Sequence, residues 1–203
     1  MKKKLPGSGP HSVFTVKVAL LGSDPPIWRR LSLPANTALA DLHWVLQTAF
    51  DWTDSHMHQF MLRFGTPDVV CYQKLSRDPG PLVALGLRQP KKDENKARLS
   101  NLLEKAGDVC HYEYDFGDSW LHEIALEEIA EEPVRPASAA CLAGEQAAPP
   151  EDCGGIPGFC HNLDVLKKTR SREYAEIKEW MGDYDPAAFN LAAVNRRLAK
   201  IKL

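Results

Sequence analysis

The run HYEYDFGDSWLHEI, residues 111–124, decides the fold. Tyr112, Tyr114 and Phe116 alternate with His111, Glu113 and Asp115, as the two-residue period of a strand requires. Gly117-Asp118 supplies a hairpin turn, and SWLHEIALEEI continues on the far side. The spacing predicts antiparallel pairing of residues 109–116 with 119–128. With Gly117 and Asp118 as the two turn residues, Asp115 lies opposite Trp120 and Glu113 opposite His122. One face then gathers carboxylates, imidazoles and an indole, while Tyr112, Tyr114 and Leu121 form the buried face. Such a polar face suits either a solvated sheet surface with a cross-strand Glu–His pair or a site that attracts cations.

Working outward, VFTVKVALL (13–21) and IWRRLSL (27–33) read as an early hairpin broken by GSDPP. Leu39, Leu42, Val45, Leu46 and Ala49 recur at helical spacing, with Asn36 or Thr37 as the cap. HMHQFMLRF (56–64) reads as a third strand. Residues 65–98 read as an irregular excursion with a short strand near Val69–Tyr72, and SNLLEKAG (100–107) as a short helix ending at Gly107. The stretch from Ala130 to Gly158, dense in Pro, Gly and Ala, reads as loop. Three helices near 158–169, 172–181 and 186–199 close the chain, the last capped by Asp185 with Pro186 in its first turn. The sum is an α+β fold: an antiparallel twisted sheet of about five strands, one packed helix and a C-terminal helical part. Residues 1–12 read as a flexible lead-in and 13–203 as a single domain.

The chain has 203 residues and a net charge of −2, which hides a strong asymmetry. Residues 108–152 carry twelve acidic residues against Arg135 alone. A block this acidic repels phosphate backbones and attracts cations. The basic residues Lys167, Lys168, Arg170, Arg172, Arg196, Arg197, Lys200 and Lys202 offer the one nucleic-acid surface the sequence provides. The five cysteines form no CxxC pair, and no apolar run is long enough for a membrane span. These features point to a cytoplasmic protein without a disulfide framework.

Three constellations carry chemistry. His56 and His58, two residues apart in an expected strand, would share a face and could converge on a divalent metal with a neighbouring carboxylate. The hairpin supplies Glu113, Asp115, Asp118, Trp120 and His122. In PPEDCGG (149–155), Glu151 and Asp152 sit between a stiff Pro-Pro entry and a Gly-Gly exit that permits positive φ. That loop either clasps the structure or holds a binding site still. The expectation is that Glu151 or Asp152 lies beside the hairpin, near Trp120 and His122, forming an acidic pocket. The DFG of 115–117 lacks the other kinase motifs, and there is no P-loop or GxSxG.

PPIWRRLSLP, LHWVLQTAFDWTDSHMHQF, YEYDFGDSWLHEIALE, CLAGEQAAPPEDCGGIPGF and FNLAAVNRRL together resemble the Ri-plasmid (pRiA4b) open-reading-frame-three-like family over roughly residues 13–198. The resemblance implies an α+β fold and an association with plasmids and mobile elements, including passenger proteins of an insertion element. It points to His56, His58, Asp115, Asp118, Trp120, His122, Glu151 and Asp152. It also implies a thiolate metal site at Cys141 and Cys153, although Ala148 stands where some relatives have a third cysteine. The expected function is a binding or accessory protein with an unknown protein or small ligand as partner. Two alternatives stand beside it. One is a metal-dependent hydrolase with His56, His58 and Asp115 or Asp118 as ligands and Glu113 or Glu151 as general base. The other is a DNA-binding transposition accessory.

Overall fold

The computed structural model describes residues 12–75, 91–134, 136–168 and 172–203. The expected lead-in, apart from Ser12, and residues 76–90 of the expected excursion lie outside them, as do Arg170 and the side chain of Arg172.

Strand β1 (Ser12–Leu20) buries Phe14, Val16, Val18 and Leu20 and leaves Thr15, Lys17 and Ala19 half-buried. It pairs antiparallel with β2 (Trp28–Pro34), the early hairpin. Helix α1 (Leu39–Phe50) buries Leu39, Leu42, Val45, Leu46, Ala49 and Phe50 in the same core, a stripe at helical spacing. Neither expected cap residue caps it. Ala38 takes the N-cap position, and the Thr37 hydroxyl donates to the Pro34 carbonyl instead, at 2.6 Å.

The sheet continues through β3 (His58–Leu62), β4 (Val70–Gln73), β5 (Lys92–Asp93), β6 (Val109–Tyr114), β7 (Trp120–Glu131) and β8 (Ala140–Glu145). Its order is β5-β4-β3-β6-β7-β1-β2-β8, with every pairing antiparallel except β4 with β5. The α+β class holds, but among the described residues the sheet has eight strands rather than about five. The strand hidden in the Ala- and Gly-rich stretch is β8, whose small residues give little β-propensity and whose pairing with β2 is a tertiary effect. Residues 100–107 form only a short 3-10 turn, Leu99–Asn101.

The hairpin forms, but its faces differ from expectation. Tyr114 pairs with Trp120, Tyr112 with His122 and Glu113 with Leu121, because the connection runs through five residues, 115–119. Asp115 adopts φ 56° and accepts from the Gly117 N–H at 2.8 Å, while the Ser119 N–H donates to the Asp115 carbonyl at 2.6 Å. This aspartate-anchored turn slips the register by one residue, which moves every side chain of β7 to the opposite face. Trp120 and His122 therefore join Tyr112 and Tyr114 in the core, all fully buried, and Leu121 is only half-buried.

Among the described residues there are four α-helices, α1 and three that follow the sheet: α2 (Gly155–Leu166), α3 (Arg172–Met181) and α4 (Leu191–Leu198). Helix α4 starts five residues later than expected. Asn190 caps it, accepting from the Ala193 N–H at 2.9 Å, while Asp185 closes a local turn on Ala187. On its inner side Asn195 reaches β8, accepting from the Cys141 N–H and donating to the Cys141 carbonyl, both at 2.8 Å.

Candidate functional site

The PPEDCGG loop docks on the hairpin and on the segment after α1 through three attachments. The Trp52 indole N–H donates to the Pro149 carbonyl at 2.9 Å, fixing the proline-stiffened entry. Glu151 then accepts from the Thr53 hydroxyl at 2.5 Å and from the Tyr114 hydroxyl. At the exit, the Gly154 N–H donates to the Asp118 carboxylate at 3.1 Å. Burial disfavours charge on Glu151, but the bonds from Thr53 and Tyr114 outweigh it and hold the carboxyl below its usual 4.5.

This docking assembles a first cluster. His56, in the loop preceding β3, places Nδ1 3.6 Å from Asp115 of the hairpin turn and Nε2 3.1 Å from Asp152 of the docked loop. The His56 Nε2 atom is buried, yet its approach to Asp152 lacks hydrogen-bond geometry. One donor atom from each of His56, Asp115 and Asp152 lies within 4.8 Å of the others, a spacing that could hold a metal ion. Their exposure grades from the buried Asp115 to the open Asp152, which leaves one side accessible to solvent.

A second cluster of the same compass, His43, Asp54 and His58, lies in the wall of a neighbouring cavity of about 500 Å³ that His56 also lines. Gln47 donates its amide to the Tyr112 oxygen at 3.1 Å, which directs the phenol hydrogen to His43 Nδ1 at 2.8 Å. His43 is thereby assigned as the Nε2–H tautomer, donating to Asp54 at 2.9 Å. Burial, reinforced by the adjacent His58, pushes the His43 imidazole down to about 4 despite Asp54. His58 pairs with the buried Glu94 at 2.9 Å, and its ring lies flat on that of His43, centroids 3.6 Å apart and planes 5° from parallel. Nitrogen lone pairs lie in the ring plane, so two parallel stacked rings direct them side by side rather than to one point. Of the two clusters, the one at His56 has the better donor geometry for an ion.

His56 and His58 thus fall into different clusters, because His56 precedes the strand and escapes its alternation. Glu113 faces away from both: its carboxylate accepts from Gln59 at 2.7 Å and Ser119 at 2.9 Å. Trp120 and His122 lie in the core. His122 Nδ1 meets the Trp120 carbonyl at 3.0 Å, and burial pushes its imidazole down to about 3. Cys141 donates to the Ala143 carbonyl at 3.3 Å, while burial, then nearby Asp118, pushes the Cys153 thiol up to about 12. Among the described residues no cysteine joins either cluster. Two of the basic C-terminal residues are committed to carboxylates, Lys167 to Asp164 at 2.8 Å and Arg197 to Asp51 at 3.2 Å.

The sequence reading missed His43, Asp54, Glu94, Thr53 and Tyr114 as members of the site. His43 carried a signal, since an imidazole at the same spacing as Leu39 and Leu46 falls on the buried stripe of α1 and needs a polar partner there. Glu94 carried none, standing in a weakly patterned stretch.

No helix among the described residues is long and apolar enough to cross a membrane. The family model described as plasmid pRiA4b ORF-3-like protein matches residues 12–193. The uncharacterised protein y4hQ of Sinorhizobium fredii is 33% identical over 190 residues, covering 91% of this chain and 90% of that protein. The crystal structure of MM3350, a protein of unknown function from Methanosarcina mazei Go1, superposes with a TM-score of 0.76 at 34% identity, covering 90% of this chain and 96% of the other. With its hairpin and loop signatures in place over almost the whole length, the chain belongs to the plasmid pRiA4b ORF-3-like family.

Proposed function

We propose that this protein is a binding module that holds a divalent cation where the DFGDSWLH hairpin meets the PPEDCGG loop, with His56, Asp115 and Asp152 as its ligands. The observation that carries this reading is the position of His56 between two carboxylates, one from each signature stretch. A divalent charge neutralises the two carboxylates, and one imidazole with two oxygen donors suits a first-row divalent metal better than a thiolate-seeking one. Coordination positions beyond these three would be filled by water or by a group from the accessory protein's partner. Hydrolysis is less well supported, because both expected general bases are already engaged: Glu151 by Thr53 and Tyr114, Glu113 by Gln59 and Ser119. Nucleic-acid contact has less support still, with Lys167 and Arg197 turned to carboxylates.

Isothermal titration of manganese(II) or zinc(II) into chelator-treated protein tests the reading. The wild type should bind one equivalent, and His56→Ala should lose that binding while His58→Ala keeps it. Equal binding by wild type and His56→Ala would rule the site out.

A further inference from the structure

The 500 Å³ cavity beside the His56 cluster has a construction the cation reading does not use. Its inner wall is polar and buried: Glu94 is 3% exposed and His43 3%. Its outer members are large apolar side chains left open to solvent, Trp44 at 49%, Met57 at 69% and Leu75 at 50%. Three exposed hydrophobic residues around one opening are costly in water unless something covers them. A volume of this order suits a small molecule or a single long side chain.

Charge sets what that occupant carries. Asp54 and Glu94 bring two carboxylates to the lining, against Lys74, whose exposed side chain is free to turn its ammonium out into water. The stacked imidazoles, 3.6 Å apart, cannot both hold a proton without strong mutual repulsion, so they add at most one positive charge. The Asp54 side chain stays 32% exposed, so part of its carboxylate can reach an entering donor, whereas Glu94 is shut behind His58. Trp44 meets the His43 ring edge-on at 5.3 Å, and its face is the kind of surface that attracts an ammonium or its adjoining methylenes.

We infer that this cavity binds an alkylammonium group on an apolar stem, the ammonium donating to Asp54 and the stem covered by Trp44, Met57 and Leu75. Glu94 supplies a second negative charge behind His58. A free amine and a lysine side chain of a partner protein present the same chemistry. The site does not depend on a cation at His56.

Amide chemical shifts of the full chain, recorded in the presence of chelator, test the inference with phenethylamine and, as its opposite-charge counterpart, phenylacetate. Phenethylamine should shift the amides of Trp44, Met57, His58 and Glu94, and phenylacetate should not. Asp54→Asn, which retains a residue tolerant of the left-handed backbone at φ 57°, should weaken binding about tenfold, the loss of one charge-assisted hydrogen bond. Trp44→Ala, a surface change that spares the fold, should weaken it as well. A capped Gly-Lys-Gly peptide, compared with its norleucine counterpart, distinguishes the sources: tighter binding than phenethylamine assigns a lysine side chain, weaker binding a free amine. Equal binding of phenylacetate, unchanged affinity in Asp54→Asn, or no shifts with any of these probes would overturn the inference. Because chelator is present throughout, loss of cation binding at His56 leaves these outcomes untouched.

Discussion

The backbone carbonyl of Asp118 occupies the space beside Gly155: a Cβ added to that glycine would lie 2.3 Å from the Asp118 oxygen. The hairpin tip and the first turn of α2 are therefore in backbone contact, and Gly155 also holds φ 66°, where side chains are strained. Gly155→Ala should cost about 2 kcal/mol or more, measured by urea unfolding. It should also weaken cation binding by separating Asp152 from His56. A neutral substitution would mean that the loop reaches the hairpin by another route.

Asp118 and Asp152, both in the acidic segment, have separable roles. Asp118→Asn should reduce stability by about 1 kcal/mol through the weakened bond to the Gly154 N–H. Asp152→Asn, at a largely exposed side chain, should leave stability within about 0.5 kcal/mol while lowering divalent-cation affinity about tenfold. Parallel unfolding and titration experiments separate the two effects. Identical behaviour of the two variants would contradict the assignment.

Two buried imidazoles set the acid response. Burial lowers His43 to about 4 and His122 to about 3 from an ordinary 6.5, so both are neutral in the fold while the unfolded chain takes up protons below 6.5. The unfolded state binds more protons in that window, so stability should fall as pH drops from 6.5 towards 4 and 3. Each histidine contributes a slope of about 1.4 kcal/mol per pH unit. Glu151, held below 4.5, adds a loss that begins near 4.5 and proceeds as pH falls through its folded value. His122→Asn keeps the donor to Trp120 but cannot titrate. Its stability should be lower at pH 7, owing to lost volume, and less dependent on pH between 4 and 6. An unchanged slope would show that His122 is not the responsible group.

Arg29 ties four segments together. Its guanidinium, buried between Phe50 at 5.0 Å and Phe189 at 4.4 Å, donates to the carbonyls of Trp28, Ala49, Glu145 and Gln146. Arg29→Lys keeps the charge but loses the planar fork, leaving carbonyls unpaired at a cost of about 3 kcal/mol. Thermal unfolding should show a clear decrease. A shift within error would mean that water satisfies those groups.

Local pattern revealed those parts of the molecule that local pattern builds. The alternation in β1 and the stripe of α1 exposed both elements, and the charge asymmetry pointed to the segment holding Asp115, Asp118 and Asp152. What stayed hidden depends on backbone geometry or distant partners. One left-handed aspartate lengthened the hairpin connection and reversed the faces of Trp120 and His122. Strand β8 exists because β2 pairs with it, and Glu94 enters the site because β5 lies parallel to β4. The pairing of His56 with Asp115 and Asp152 joins three segments that no sequence spacing relates.

The contact between Asn195 and Cys141 has a consequence for behaviour in a crowded solution. Strand β8 is the last in the sheet, and the Cys141 N–H and C=O point away from β2 towards helix α4. There the side-chain amide of Asn195 offers one acceptor and one donor in the positions a further strand would use. A helix thus supplies a one-residue imitation of a ninth strand, and the border of the sheet gives no foothold at that position for another molecule's backbone. Such unsatisfied borders are where β proteins polymerise, and here the guard is a single carboxamide.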